Sequence, residues 1–213
     1  YKRQVDPNGT DLPAVVREMC PDLNIIFSTS KLENKHMNYL YNICDVTINL
    51  ASNEGFGLGT CESLMCGTPI IVNVTGGLQD QCGFKMNGEY LTYKDYKDIE
   101  TLHDWRKWEH NKDLTYGEWA KPVWPRSRSL QGSPPTPYIF DDRADWYEVA
   151  DKINEWYEMP KEVRDECGFK GHEWVCSDDA MMSTRHMCQN FIDHMETAFE
   201  KWTPRERYEV FKI

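Results

Sequence analysis

The sequence lacks any long uncharged apolar run, and its first residues lack the apolar core of a signal peptide. Because a membrane-spanning helix needs about 20 mostly apolar residues, we predict a soluble, cytoplasmic protein without a transmembrane segment. Positive charge is also scarce: 24 Lys and Arg against 35 Asp and Glu give a formal net charge of -11. Nucleic acids and anionic membranes repel an acidic protein, so neither is expected as the main partner.

The eight cysteines lack the spacing of a metal site or of a disulfide framework. The sequence contains no CxxC pair, and its Cys and His residues do not cluster at zinc spacing. A chain of 213 residues with 40% apolar content is long enough to fill a core without cross-links. We therefore predict reduced thiols, most of them in the core, and no metal site.

Short apolar runs alternate with helical periods in the first part of the chain. Strands are predicted at residues 23–27, 45–50 and 70–72, and Asn34 is expected to cap a helix between the first two. A glycine-rich stretch, residues 53–69, separates the last two strands. This order is typical of an α/β protein, so we predict a Rossmann-like parallel sheet with flanking helices.

The alternation then stops: residues 82–136 are polar, aromatic and rich in turn residues. Long stretches of this kind are usually functional lids or disordered segments, and the tryptophans here argue against disorder. A last strand is predicted at residues 138–140, with Asp141 or Asp142 capping the helix that follows. The aromatic stripe from Trp146 to Trp156 has helical spacing and is more consistent with a core-facing helix than with a cofactor site.

Residues 53–69 carry the clearest functional signal. Glycine lets a backbone approach a ligand closely, and the free N–H groups of a first helical turn favour a phosphate. Glu62 lies about two helical turns beyond Glu54, where a buried carboxylate can accept hydrogen bonds from a diol such as ribose. A tight turn with a solvated Glu62 is the simpler interpretation. It is weakened because two acids, the glycine loop and the Gly67-Thr68-Pro69 stop occur together.

These residues resemble the donor-binding half of retaining glycosyltransferases of the two-Rossmann-domain (GT-B) type, close to the family-4 group. The segments that carry the resemblance are Leu40-Tyr41-Asn42-Ile43-Cys44-Asp45, Glu54-Gly55-Phe56-Gly57-Leu58, Glu62, Cys66-Gly67-Thr68-Pro69 and Gly76-Gly77. The spacing from Glu54 to Glu62 is the Glu-x7-Glu pattern of that group. The resemblance covers residues 11–80 firmly and residues 138–202 loosely.

The resemblance implies a role for each of these segments. Glu54 would contact the donor sugar near the reaction centre as the catalytic residue, and Glu62 would hold the ribose hydroxyls. Backbone N–H groups would bind the sugar and diphosphate at Gly55, Phe56, Gly57, Leu58 and Gly59. The segment expected at the nucleobase is Ser30, Lys31 and Leu32.

The implied reaction is transfer of a sugar from a UDP- or GDP-sugar to a glycan or another acceptor, with retention of configuration. It would need no cofactor or metal, because the departing diphosphate is stabilised electrostatically. Two alternatives stay open. One is a nucleotide-sugar epimerase or phosphorylase of the same architecture, and the other is a non-catalytic nucleotide-sugar binding module.

The sequence departs from the family in lacking a diphosphate-binding Arg and Lys in the first strand and helix, since Lys2 and Arg3 are too close to Asp11. It also lacks the amino-terminal acceptor domain, so we expect a longer enzyme or a partner chain to complete the site. The predicted domains are a nucleotide-sugar binding domain at residues 1–175 and a carboxyl-terminal helix at residues 176–213. That helix is expected to cross onto the missing domain.

The insertion at residues 82–136 stands where family members have a short link. Its residues 117–137 are expected to form either an acceptor-side flap with aromatic faces for sugar stacking or a surface elaboration packed on its own tryptophans. Lys121, Arg126 and Arg128 are cationic candidates within the insertion, and ordinary solvated charges are the simpler interpretation.

Overall fold

The computed structural model describes residues 10–28, 30–92, 95, 102–133 and 136–204. Side chains are not described for residues 102, 103, 105, 133, 136 and 137. The chain divides into two units, Tyr1–Leu40 and Tyr41–Ile213. The candidate cations Lys2 and Arg3 lie outside the described residues.

The first unit contains α1 (Leu12–Met19) and most of α2 (Asn34–Ile43). The strand predicted at residues 23–27 is wrong, because none of these residues lies in a strand and only the next residue, Ser28, forms an isolated bridge. The Leu23 N–H instead donates to the Cys20 carbonyl at 3.1 Å, and Leu23 is 62% exposed. The apolar composition of this run is therefore not a sign of a buried strand.

The second unit begins within the last turn of α2 and holds the described strands of the protein. Its further elements are β1 (Thr47–Asn49), α3 (Leu58–Met65), β2 (Ile70–Asn73), α4 (Gly76–Asp80), β3 (Lys85–Met86), β4 (Glu89–Tyr90), α5 (Leu102–Glu109), β5 (Leu114–Thr115), β6 (Ala120–Val123), β7 (Pro125–Ser133), β8 (Thr136–Ala144), α6 (Trp146–Glu158), α7 (Lys161–Val175) and α8 (Thr184–Lys201).

The central sheet has the order β1-β2-β6, and both pairs are parallel. Ile70 lies opposite both Thr47 and Ala120, and all four residues of β2 are buried. Because parallel strands place their carboxyl ends at one edge, the loops that follow them meet there. The predicted α/β class with a parallel sheet and flanking helices is confirmed.

The strand β6 lies inside the segment in which the alternation was predicted to stop, so that prediction is wrong. Ala120 and Val123 are 1% and 0% exposed. Lys121 and Pro122 interrupt the apolar pattern of this short strand. Pro122 is tolerated because β6 is an edge strand of the described sheet, where a missing N–H costs little.

The hairpin of β7 and β8 follows β6 and has two antiparallel arms of nine residues each. The strand predicted at residues 138–140 lies within β8, so its existence is confirmed. The predicted helix cap is wrong, because Asp141 and Asp142 still belong to β8. Asp145 caps α6 instead, and its Oδ1 accepts hydrogen bonds from the Tyr147 and Glu148 N–H groups at 2.8 and 3.3 Å.

The core covers both faces of the sheet. Val72 packs in one cluster with Trp119, which stacks on Trp174 at 4.9 Å, whereas Ile71 packs in a second cluster with Trp156. This split follows from the alternation of side chains along a strand. Trp156 is 1% exposed, so the core-facing interpretation of the α6 stripe is confirmed at that position, but Trp146 is 69% exposed, so the interpretation is wrong there.

Two tryptophans of the insertion, Trp119 and Trp124, are part of this core. Trp119 and Trp124 are each 7% exposed, and Phe84 lies 5.6 Å from Trp124 between ring centroids. Neither indole offers a free face to a sugar, which contradicts the stacking-flap interpretation at these two residues. All eight cysteines are free thiols, but only Cys61, Cys82 and Cys167 are buried, so the prediction that most of them lie in the core is wrong.

Candidate donor site

The glycine loop lies at the carboxyl edge of the sheet, between β1 and α3. Gly57 is the N-cap of α3 and has a φ of 86°, in the left-handed region that favours glycine. A Cβ on Gly57 would lie 2.7 Å from Leu78 Cδ2. Both backbone conformation and packing therefore require glycine at this position.

The paired glycines at the start of α4, Gly76 and Gly77, pack directly against the backbone of this loop. A Cβ on Gly76 would lie 2.0 Å from the Glu54 carbonyl oxygen, and one on Gly77 would lie 2.5 Å from the Gly55 carbonyl oxygen. The Gly77 N–H donates to the Glu54 carbonyl at 3.0 Å. The lack of a Cβ on these two glycines lets the loop approach α4 closely.

Gln81 fixes two further carbonyls of the loop. Its side chain is fully buried, and Nε2 donates to the Phe56 carbonyl at 2.6 Å and the Gly57 carbonyl at 3.0 Å. Sequence reasoning missed Gln81, because a single glutamine far along the chain gives no local signal. Within the part of the chain that the structure describes, the first two N–H groups of α3, on Leu58 and Gly59, have no acceptor. They are available to an anion.

Glu54 is half-buried and is held at the end of β1. Asn49 Nδ2 donates to Glu54 Oε2 over a long distance of 3.5 Å, and Asn49 Oδ1 accepts from the Ala51 N–H at 3.0 Å. The carboxylate therefore lies at the carboxyl edge of the sheet, where open α/β sheets bind their ligands.

Glu62 is exposed on α3. The sequence predicts a buried carboxylate at this position, so that prediction is wrong. Tyr41, which is 9% exposed, donates its hydroxyl proton to Glu62 Oε2 at 2.9 Å. Burial and the hydrogen bond to Glu62 raise the pKa of Tyr41 above its ordinary value, so the hydroxyl stays protonated. One carboxylate oxygen is thus oriented by the protein, and the group is accessible to a diol.

Asp142 joins three segments at the same edge. Its carboxylate is buried and accepts hydrogen bonds from Arg128 Nε at 2.6 Å and from Thr75 Oγ1 at 3.0 Å. Its backbone N–H donates to the Ser52 carbonyl at 3.1 Å, and its carbonyl accepts from Asn73 Nδ2 at 2.8 Å. The hairpin is thereby tied to the segments that precede Glu54 and Gly76.

The three cationic candidates of the insertion all form ion pairs. Lys121 Nζ lies 2.7 Å from Glu155, Arg126 Nη2 lies 2.8 Å from Glu148, and Arg128 pairs with Asp142. The interpretation of these groups as ordinary solvated charges is therefore wrong for Arg128, whose partner is buried.

The proposed nucleobase segment, Ser30, Lys31 and Leu32, belongs to the first unit, whereas Glu54 and Glu62 belong to the second. Its role stays a prediction. Within the described ranges, no three His, Cys, Asp or Glu side chains are arranged to hold a metal ion. None of the helices described is both long and apolar enough to cross a membrane.

Residues 22–114 match the family model for glycosyl transferases group 1. This range contains the glycine loop, Glu54, Glu62 and the paired glycines. Over these residues the chain is similar to glycosyl transferases group 1. The hairpin and the last three helices lie beyond the matched range. A comparison with curated proteins finds no match.

The structure is similar to that of a sucrose-phosphate synthase from Thermosynechococcus elongatus, with a TM-score of 0.60. The two sequences are 16% identical, and the match covers 93% of this chain and 38% of that chain. At this identity the likeness shows the fold alone, which is the GT-B domain architecture. The chain therefore spans well under half the length of that structure.

Proposed function

We propose that this chain is the donor-binding domain of a GT-B glycosyltransferase. It binds a UDP- or GDP-sugar and transfers the sugar, with retention of configuration, to a glycan or another acceptor, without a cofactor or metal. The observation that carries this proposal is the glycine loop: its carbonyls are bonded to α4 and Gln81, and α3 begins with open N–H groups. Glu54 and Glu62 lie at either end of this arrangement.

The diphosphate binds at the start of α3 in this proposal. The Leu58 and Gly59 N–H groups and the positive end of the helix dipole favour an anion there. Because Gln81 and Gly77 hold the loop carbonyls, those oxygens are kept from turning toward the phosphates. The same donors stabilise the charge that develops on the leaving diphosphate, and no reorganisation is needed at that moment.

The carboxylates of Glu62 and Glu54 bind different parts of the donor in this proposal. Glu62 accepts hydrogen bonds from the ribose hydroxyls, and Tyr41 fixes its orientation. Glu54, held by Asn49 at the sheet edge, contacts the donor sugar next to the reacting carbon. Ser30, Lys31 and Leu32 remain the candidates for the nucleobase.

An apolar groove beside the loop supports the proposed missing domain. The groove has a volume of about 880 Å³ and is lined by Phe56, Leu58 and one face of α8. Met187 and Phe191, which line the groove, are 62% and 67% exposed. Large exposed apolar patches mark interaction sites, so we propose that the amino-terminal acceptor domain covers this face.

A thermal-shift screen of the full chain with UDP, GDP and their sugars tests the function. Ligand at about 100 times its Kd stabilises the folded state by about 2.7 kcal/mol, which raises Tm by roughly 5 to 10 °C for a chain of this size. We expect a shift with one of the two nucleotide series. If no nucleotide or nucleotide sugar shifts the Tm of the folded chain, the proposed function is wrong.

A further inference from the structure

A second cavity lies at the carboxyl edge of the sheet, between the segment that follows β1 and the start of α6. Its volume is about 400 Å³, and its lining includes Leu50, Ser52, Arg143 and Trp146. Small-molecule sites commonly have volumes of about 300 to 1,000 Å³. The cavity is therefore large enough for a single sugar ring.

Trp146 gives this cavity an aromatic wall. It is 69% exposed, whereas Trp119, Trp124, Trp156 and Trp174 are all buried. The Tyr147 ring stacks on Trp146 with 3.6 Å between centroids, so one indole face is covered. The remaining surface of a ring held in this way is available for the C–H face of a saccharide.

Arg143 and Ser52 add polar groups beside that wall. The Arg143 side chain is 56% exposed, with Nε donating to Ser129 Oγ at 3.2 Å and Nη2 3.6 Å from Asp141. A guanidinium has five N–H donors, so several remain for a ligand after these contacts. An aromatic face beside a guanidinium and a hydroxyl matches the chemistry of a sugar ring, which is apolar on its faces and hydroxylated at its rim.

The cavity and the proposed diphosphate seat lie on opposite sides of β1. Thr47 Oγ1 accepts a hydrogen bond from Ser63 of α3 at 2.8 Å, and Asn49 has the same parity in the strand. Leu64 of α3 packs in the cluster of Val72, whereas Val149, which lines the cavity, packs in the cluster of Ile71 on the other face of the sheet. Ser52 is nevertheless two residues before Glu54, so their Cα atoms are at most about 7 Å apart.

We propose that this cavity binds a saccharide ring, stacked on Trp146 and hydrogen-bonded by Arg143. This ring is separate from the donor sugar, because the donor is expected on the α3 side of β1. The binding of a saccharide at Trp146 does not depend on the proposed donor site.

Saturation-transfer NMR on the full chain tests the site, with methyl glycosides of glucose, galactose, mannose and N-acetylglucosamine as probes at millimolar concentration. We expect transfer to at least one glycoside. Trp146→Ala should weaken its binding by roughly three- to tenfold, and Trp146→Phe should restore part of the loss. Tyr157→Ala is the matched control, because Tyr157 is 83% exposed near the other end of α6.

The proposal is overturned if none of the four glycosides receives saturation, or if Trp146→Ala binds them as tightly as the native chain. Equal weakening by Tyr157→Ala would also overturn it, because the effect would then not be local. Nucleotide-induced thermal shifts measured on the same preparations keep the two hypotheses separate. If the chain binds nucleotides but no glycoside, only the saccharide site is contradicted. If it binds a glycoside but no nucleotide, only the donor site is contradicted.

Discussion

Gly77→Ala is the sharpest mutational test of how the donor loop is held. The added Cβ would lie 2.5 Å from the Gly55 carbonyl oxygen and 2.6 Å from Phe56 Cα. Both neighbours are backbone atoms, so the loop itself must move by nearly 1 Å to reach an ordinary contact distance. Because Gly77 does not have a positive φ, the substitution adds no backbone strain. Its effect therefore reports only the steric overlap between the new Cβ and the loop.

The expected cost follows from this overlap. Overpacking of this kind destabilises by about 1 to 3 kcal/mol, and displacement of the loop also weakens the Gly77 N–H bond to the Glu54 carbonyl. Tm should fall by roughly 2 to 12 °C, at about 2 to 4 °C for each kcal/mol. Nucleotide affinity should fall at least tenfold, because the N–H groups at the start of α3 move with the loop.

Calorimetry gives the Tm of the variant, and titration with UDP and GDP gives its affinity. Gly55→Ala is the control for stability, because a Cβ at Gly55 would meet nothing within 4 Å. Its Tm should stay within about 1 °C of the native value, since surface substitutions usually change stability by less than 0.5 kcal/mol. A Gly77→Ala chain with native Tm and native affinity would refute the idea that the loop rests on α4.

Three further predictions follow from the contacts around the site. Tyr41→Phe should weaken UDP or GDP binding by about threefold to tenfold by titration, because Glu62 loses its orienting hydrogen bond; unchanged binding would remove Tyr41 from the site. Asp142→Ala should lower stability by about 3 kcal/mol in urea unfolding, because Arg128 loses its buried partner; a loss below 1 kcal/mol would contradict that. At pH 8 iodoacetamide should leave Cys61 unmodified, because burial and the nearby Glu62 raise its pKa to about 11. Mass spectrometry should find label on the exposed thiols, Cys44, Cys176 and Cys188.

The local features of the fold were predictable from the sequence. The loop, its helix and the strand β2 follow from glycines, carboxylates and an apolar run that lie within about 20 consecutive residues, residues 53–73. The α6 period was equally clear, because Val149 and Trp156 recur at helical spacing. The strand β6 was missed, since Lys121 and Pro122 obscure a buried strand of only four residues.

The contacts that hold the site were not predictable, because their partners are far apart in sequence. Gln81 bonds to Phe56 and Gly57 across about 25 residues. Asp142 bonds to Thr75 across 67 residues. Such pairs leave no periodic pattern, and only the packed sheet brings them to one edge. The exposure of Glu62 was also hidden, since its Glu-x7-Glu spacing specifies a helix position and not the depth of burial.

The most direct test of the donor site is isothermal titration of the full chain with the nucleotide diphosphate selected by the thermal-shift screen. Native protein is compared with Glu62→Ala and with Glu173→Ala, an exposed glutamate on α7. Hydrogen bonds to a charged group contribute about 1.5 to 3 kcal/mol, so Glu62→Ala should weaken binding by roughly 10- to 100-fold. Glu173→Ala should bind as the native chain does.

The same titration with the 2′,3′-dideoxy nucleotide completes the measurement. This ligand lacks the diol, so the native chain and Glu62→Ala should bind it equally and weakly. That result would place the ribose at Glu62, beside the glycine loop. An affinity for the normal nucleotide that is the same in native protein and in Glu62→Ala would contradict the central claim.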